Sequence, residues 1–147
     1  MPLGRFLEIS LAATDVAESL AFYESLGFVQ ASVGEAWPHP YAVVTDGRLS
    51  LGLHRADIAS PLPTWVAPAL RERLDTLATL GVTVDEARLD DASMHQAVLR
   101  DPSGQPLRLL GIGLALSITT SLPWLASMLL TDIFAGLEEA AKLARPW

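Results

Sequence analysis

The sequence predicts an α+β fold built from two modules with the same order of elements. A strand, a helix and three strands occupy about residues 5–55, and a helix followed by three strands returns over about residues 63–110. The tripeptide Leu80-Gly81-Val82 follows Leu26-Gly27-Phe28 at an offset of 54, and the turn glycines Gly47 and Gly104 are 57 apart. Because order and spacing return together, the pattern indicates an internal repeat.

The first module opens with a strand at Arg5 to Leu11, in which apolar and other residues alternate. Thr14 or Asp15 can cap a helix from Val16 to Leu26 that ends at Gly27. The predicted buried stripe of this helix consists of Val16, Leu20 and Tyr23, with Phe22 and Leu26 as further candidates. A strand at residues 28–33 comes next, and strands 41–45 and 49–54 flank the hairpin signal Asp46-Gly47.

The second module follows a proline-containing connector at residues 55–68, in which residues 63–67 could form a short strand. Its helix places Leu70, Leu74, Leu77 and Leu80 on one face and stops at Gly81. Strands are predicted at residues 82–84, 96–100 and 106–110, the last two joined by a turn at residues 101–104. We expect residues 1–110 to form one domain of two modules, at about 5–55 and 63–110.

Composition limits the kind of protein that this can be. A chain of 147 residues has the length of one domain and can bury a core without disulfides. The absence of cysteine excludes thiolate nucleophiles, zinc–thiolate sites and iron–sulfur clusters. A net charge of −7 with a single lysine offers no basic stripe, so we expect no nucleic-acid partner. Glu8 interrupts the first apolar stretch, which predicts a cytoplasmic protein without a secretion signal.

The carboxy-terminal segment differs from both modules. The 23 residues from Leu109 to Thr131 contain no charged residue and no histidine, a length that could span a bilayer. Serines, threonines and Pro123 interrupt this stretch at mid-depth, and no basic cluster flanks it, so membrane insertion is disfavoured. We expect residues 111–147 to form an extension, a strand or loop at 111–118 and then a helix at 121–144. It would pack on the domain or against a dimer partner.

The motifs resemble a known superfamily. Residues 14–28, ending in Phe22-Tyr23-Glu24-Ser25-Leu26-Gly27-Phe28, and the segment Asp101-Pro102-Ser103-Gly104-Gln105-Pro106-Leu107 resemble the vicinal oxygen chelate superfamily. This superfamily includes glyoxalase I, extradiol dioxygenases and the fosfomycin- and bleomycin-resistance proteins. The resemblance covers about residues 5–110 and implies two βαβββ modules that form a cupped mixed sheet around one cavity. It also suggests a homodimer.

Metal-using members of the superfamily hold one divalent ion with four side chains, and the resemblance places these positions in this sequence. They fall on Glu8, at or near Gly52, near Trp65, and on Arg108. Only Glu8 is a ligand type, and a guanidinium has no lone pair to donate. His54 shares the strand parity of Gly52 and is a possible alternative ligand. We therefore expect no cofactor, with one divalent ion held by Glu8 and His54 as the alternative.

The same positions suggest roles in binding. If Glu8 and Arg108 stand where ligands of one ion would meet, they should form a buried pair; either could also recognise a ligand. His54 could act as a general base or be solvated, whereas His39 and His95, in or near loops, are assigned no role. Four aromatic residues could form a ligand platform or belong to a core or interface: Phe6, Trp37, Tyr41 and Trp65.

The leading hypothesis is a metal-independent protein that binds a small organic molecule in an aromatic-lined cup. Its ligand-binding residues would be Glu8, Phe6, Trp37, Tyr41, His54, Trp65 and Arg108. Resemblance to bleomycin-resistance proteins suggests sequestration of a toxic compound. The alternative is a metal-dependent lyase, isomerase or dioxygenase. A third possibility is a structural module whose carboxy-terminal segment fills the cup.

Overall fold

The computed structural model describes residues 3–33, 37–89, 95–111 and 122–144, with side chains in 122–132 excluded. It confirms the α+β class and the repeated order of elements. Contacts divide the chain into two compact units. The first unit comprises Glu8–Leu62 and Met128–Trp147, and the second comprises Met1–Leu7 and Pro63–Ser127. Each predicted module therefore supplies most of one unit.

The first module consists of β1 (Arg5–Ala12), α1 (Val16–Ser25), β2 (Val29–Ala31), β3 (Tyr41–Thr45) and β4 (Ser50–His54). The strands lie in the order β2-β3-β4-β1. The β2–β3 and β3–β4 pairs are antiparallel, and β1 runs parallel to β4. The predicted hairpin at residues 46–47 is confirmed, because β3 and β4 pair directly across it. Val43 and Val44 are almost completely buried in this sheet.

Helix α1 begins and ends as the sequence predicts. The side chain of Asp15 accepts a hydrogen bond from the backbone N–H of Glu18 at 3.0 Å, and Gly27 adopts a φ of 96° after the last turn. The assignment of Phe22 and Leu26 to its buried stripe was wrong, since they are 58% and 60% exposed. Phe22 lies two residues, or about 200°, from the half-buried Leu20, and Leu26 is already the cap.

The second module consists of β5 (Leu62–Val66), α2 (Leu70–Thr79), β6 (Val84–Arg88), β7 (His95–Arg100) and β8 (Pro106–Gly111). The strands lie in the order β5-β8-β7-β6, with β5 parallel to β8 and the other pairs antiparallel. Helix α2 buries three leucines against strands β7 and β8. The cluster contains Leu70, Leu74, Leu77, Ala97, Leu99 and Leu109.

Two predictions for the second module were wrong in detail. Leu80 is 67% exposed rather than part of the buried stripe, because α2 ends at Thr79 and Leu80 is its cap. The strand predicted at residues 82–84 lies at Val84–Arg88. Four consecutive residues of β6 are exposed, so this edge strand lacks the alternation by which a half-buried strand is found.

The carboxy-terminal helix, α3 (Leu122–Leu143), confirms the predicted helix at 121–144. Within the first unit it buries Ile133 and Ala140, and a side chain at Gly136 would overlap the backbone of Ser32. The strand predicted at 111–118 falls almost wholly outside the described residues. In the part of the chain that the structure describes, no helix is long and apolar enough to cross a membrane.

Strand register relates the two modules residue by residue. In the first module Ser10 on β1 pairs with Gly52 on β4, and in the second Thr64 on β5 pairs with Arg108 on β8. Gly52 also pairs with Val43, and Arg108 with Val98. Gly52 and Arg108 are therefore equivalent positions of the repeat, which fits their common assignment to metal-ligand positions.

Candidate functional site

The centre of the candidate site is the carboxylate of Glu8 in the first unit. Glu8 is 1% exposed on β1, and the hydroxyl of Ser10 donates a hydrogen bond to its Oε2 at 2.7 Å. A side chain at Gly52 would overlap this carboxylate, which therefore occupies the space left by the glycine. The missing Cβ on β4 is what allows an acidic side chain of the neighbouring strand to fold over it.

His54 binds the same carboxylate oxygen. Its Nε2 lies 2.7 Å from Glu8 Oε2, and both side chains are 1% exposed. Residues 52 and 54 share one face of β4, so the strand places His54 beside the carboxylate that fills the space at Gly52. The sequence correctly selected Glu8 and His54 as polar residues of one face, although their direct contact was not predicted.

His39 completes the polar chain and was missed by sequence reasoning. Its Nε2 lies 2.9 Å from His54 Nδ1, so the two imidazoles are hydrogen-bonded to each other. A signal was present: Tyr41 pairs with His54 across the hairpin, and residue 39 precedes residue 41 by one strand repeat. The prolines on both sides of His39 concealed this continuity and suggested an ordinary loop.

Aromatic rings surround the histidines. The ring of Tyr41 stacks on His54 at 5.8 Å with an angle of 10°, and Trp37 meets His54 edge-on at 5.3 Å. Trp37 also lies 5.4 Å from His39, inclined by 31°. We refer to Trp37, His39, Tyr41 and His54 as the histidine–aromatic cluster. His54 is enclosed, whereas the other three members are half-buried.

An open groove of about 630 Å³ in the first unit has Tyr41 among its lining residues, but not Trp37, His39 or His54. The first turn of α1, Gln30 and Arg55 contribute to its walls. A cavity of this volume is within the range of sites for small organic molecules. Tyr41 thus belongs both to the cluster and to the groove.

The remaining predicted site residues lie in the second unit. Arg108 is 3% exposed and donates from Nε to the hydroxyl of Thr64 at 3.3 Å. Phe6 and Trp65 meet edge-on at 5.3 Å, and Trp65 packs against the apolar cluster beneath α2. His95 is buried at the start of β7. Glu8 and Arg108 belong to different units. Their pairing stays a prediction.

The donors in the described residues do not fit a resident metal ion. Gly52 supplies no donor, Arg108 is cationic, and the described residues contain no group of three His, Asp or Glu side chains that could hold an ion. The two ring nitrogens of His54 are each engaged, one by Glu8 and the other by His39. Because they lie on different edges of the imidazole, these two neighbours cannot meet at a single ion bound to His54.

Comparison with known proteins supports the fold. No protein-family model matches the chain, and no curated protein matches it. Among solved structures, methylmalonyl-CoA epimerase from Mycobacterium tuberculosis superposes with a TM-score of 0.51 at 13% identity, over 78% of this chain and 92% of the other. A glyoxalase I mutant from Zea mays gives 0.52 at 15% identity, over 73% of this chain and 42% of the other.

The chain has the vicinal oxygen chelate fold. A hypothetical protein, BH1468 from Bacillus halodurans, is similar to the same extent, with a TM-score of 0.51 at 16% identity over 73% of this chain and 93% of the other. This chain spans less than half of the maize glyoxalase chain. The vicinal oxygen chelate fold therefore explains the repeat, while the chemistry has to be argued from the site itself.

Proposed function

We propose that the protein binds a small organic molecule at the histidine–aromatic cluster without a metal ion, and that it sequesters a toxic compound in this way. The observation that carries the proposal is the chain of hydrogen bonds from Glu8 through His54 to His39. These side chains are engaged with one another, in a pattern suited to recognition rather than to coordination of an ion.

The surroundings of the chain support an aromatic or other flat ligand. Trp37 and Tyr41 offer large apolar faces that cost little entropy to order. Glu8 and His54 supply the polar contacts on the inner side. Arg108, Phe6 and Trp65 stay candidate ligand-binding residues in the second unit.

Calorimetric titration with 4-nitrophenol and nitrobenzene, in buffer containing EDTA, tests the proposal. We expect both probes to bind, and Tyr41→Ala to weaken each by at least about tenfold through loss of its stacking face. Leu80→Ala is the control, since this apolar side chain is 67% exposed in the second unit, and should leave both affinities unchanged. Binding of neither probe by the folded protein would overturn the proposal.

The same titration distinguishes the metal-dependent alternative. Affinity that vanishes with EDTA and returns with Ni²⁺, Zn²⁺, Mn²⁺ or Fe²⁺, and that Glu8→Ala abolishes, would favour a lyase, isomerase or dioxygenase. We expect instead that the four ions leave probe binding unchanged within about twofold, because the described donor set does not fit an ion.

We also propose that the protein is a cytoplasmic homodimer and that α1 contributes to its interface. Phe22 and Leu26 expose apolar side chains on this helix. A dimer would bury such side chains, whereas a monomer would leave them in water. Sedimentation at micromolar concentration should give twice the mass of the chain, and Phe22→Asp should give a monomer. A monomeric wild-type protein would contradict this assignment.

A further inference from the structure

The groove of the first unit is built from other residues than the histidine–aromatic cluster. Tyr41 is the one residue that the two share. The first turns of α1 line the groove together with residues of β2 and β3 and with Arg55, which directly follows β4. Its volume of about 630 Å³ is sufficient for a small organic molecule. The first unit thus has a second place for a ligand, which Glu8 and His54 do not line.

Arg55 carries the only positive charge among the described residues that line the groove. Its backbone N–H donates to the carbonyl of Pro40 at 3.0 Å, which fixes residue 55 beside the start of β3. Its guanidinium forms no ion pair or hydrogen bond with any other residue that the structure describes. The side chain therefore retains its N–H donors, in the planar arrangement that binds a carboxylate bidentately.

The carboxylate of Asp15, which also lines the groove, is engaged with helix α1. It accepts a hydrogen bond from the backbone N–H of Glu18 at 3.0 Å and caps the helix. Since the start of α1 already has its anion, a negatively charged ligand is placed at Arg55 and not at the helix. Thr14 and Gln30 add a hydroxyl and a carboxamide to the groove, and within the described chain neither side chain is hydrogen-bonded.

Apolar side chains form much of the remaining surface. Val16 and Leu20 of α1 are half-buried, and Ala42 of β3 is 4% exposed. The apolar part of a ligand would lose contact with water against these side chains, which favours binding. The groove therefore combines one cationic group and neutral donors with an apolar wall.

We infer that this groove is a second binding site, which takes a small organic acid with an apolar body. The guanidinium of Arg55 pairs with the carboxylate of the acid, and Val16 and Leu20 contact its body. This site goes beyond the proposed function and does not depend on it, because the histidines of the cluster do not line the groove.

Fluorescence titration with 2-naphthoate and its neutral amide, 2-naphthamide, tests the site. In neutral buffer at low salt we expect the acid to bind about fivefold more tightly, because its carboxylate alone is charged. The net charge of −7 repels anions in general, so this preference requires a local cation. An increase in ionic strength from about 0.01 M to about 0.15 M should weaken binding of the acid and leave the amide unaffected.

Two arginine variants assign the preference to one residue. Arg55→Gln removes the charge at an exposed position and should bring the two affinities within about twofold of each other. Arg48→Gln is the matched control, since this arginine is exposed in the same unit but does not line the groove. It should retain the preference for the acid. Leu20→Ala should weaken both probes to the same extent, because it shortens the apolar wall.

The outcomes decide the inference separately from the proposed function. Equal affinity of the wild-type protein for acid and amide overturns the inference, as does absence of binding by the acid. A preference that persists in Arg55→Gln, or that disappears in Arg48→Gln, also overturns it. A preference that depends on Arg55 supports the site even if nitrobenzene does not bind. Binding of nitrobenzene without this preference removes the second site and leaves the proposed function standing.

Discussion

The two modules repeat one arrangement of strands but fill equivalent positions with different chemistry. In the first module Ser10 lies opposite Gly52, and the Glu8 carboxylate covers the glycine. In the second module Thr64 lies opposite Arg108 and accepts its hydrogen bond. A glycine covered by a buried carboxylate in the first module therefore corresponds to a buried guanidinium in the second. The same strand arrangement accommodates both, so the side chains rather than the fold decide what each module does.

The largest effect is expected when the first module is given the side chain of the second. Leu62 stands at the position on β5 that Glu8 holds on β1, and Glu8→Leu removes one partner of a buried hydrogen-bonded pair. We expect a loss of roughly 3–5 kcal/mol in the free energy of unfolding, measured by urea denaturation. Leu62→Met is the control, with a cost below about 1.5 kcal/mol. Equal losses would show that the polar chain is unimportant for stability.

The helices offer a second contrast. Leu74 of α2 is 7% exposed in the apolar cluster, whereas α1 buries no residue completely. Leu74→Ala should cost roughly 2–4 kcal/mol and the matched change Leu20→Ala, at a half-buried position, only about 1 kcal/mol. Thermal unfolding of the two variants measures the difference. A larger loss at Leu20 would mean that α1 is covered in the assembled protein.

Substitutions at Gly52 and Gly104 separate the stability lost to steric overlap from the stability lost to backbone strain. An alanine at position 52 would overlap the Glu8 carboxylate, whereas at Gly104 a Cβ meets nothing within 4 Å and only the φ of 86° opposes it. We expect Gly52→Ala to cost roughly 2–3 kcal/mol and Gly104→Ala about 1 kcal/mol. Only Gly52→Ala should weaken binding of 4-nitrophenol. Unchanged probe affinity in this variant would contradict the placement of Glu8 at the site.

The smallest effect concerns the hairpin turns. In the first module the backbone N–H groups of Leu49 and Arg48 donate to Asp46 and lower the pKa of its carboxyl. Because the pKa of this carboxyl is lower in the folded state, its ionised form stabilises the folded protein at pH values above the unfolded pKa of about 3.9. This stabilisation is lost as the pH falls through the folded pKa. Asp46→Asn should cost at most about 1 kcal/mol at pH 7.

Denaturation as a function of pH checks this sign. The difference in the free energy of unfolding between wild type and Asp46→Asn should become smaller as the pH falls below about 4. Asp75→Asn, at an exposed position of α2, should have the same free energy of unfolding as wild type both at pH 7 and below about pH 4. A gap for Asp46→Asn that widens in acid would refute the assignment.

Sequence patterns were sufficient where local chemistry determines structure. The Asp15 cap, the Gly27 stop and the Asp46-Gly47 turn each act within a few residues, and each was found. Strand β6 was misplaced because its residues are exposed on an edge and carry no alternating pattern. Local signals thus set most element boundaries, and tertiary surroundings decide the rest.

The candidate site was predictable only in part for a related reason. The parity of the strands placed Glu8 and His54 on polar positions, but the contact of His54 with His39 joins residues 15 apart through a loop between two prolines. Which ring nitrogen meets which partner depends on side-chain rotamers rather than on strand period. The resemblance suggested candidate positions, and the structure shows how Glu8, His54 and His39 are connected.

The lack of a side chain at Gly52 makes substitutions at positions 8 and 52 depend on each other. Any side chain added at 52 must displace the carboxylate at 8, so the two sites should show epistasis rather than independent effects. Gly52→Ala should be harmful beside Glu8 and nearly neutral beside Glu8→Ala. A metal-ligating side chain could therefore be introduced at position 52 only after Glu8 has been replaced by a residue with a shorter side chain. The order of the two substitutions is thus decisive when this module is redesigned.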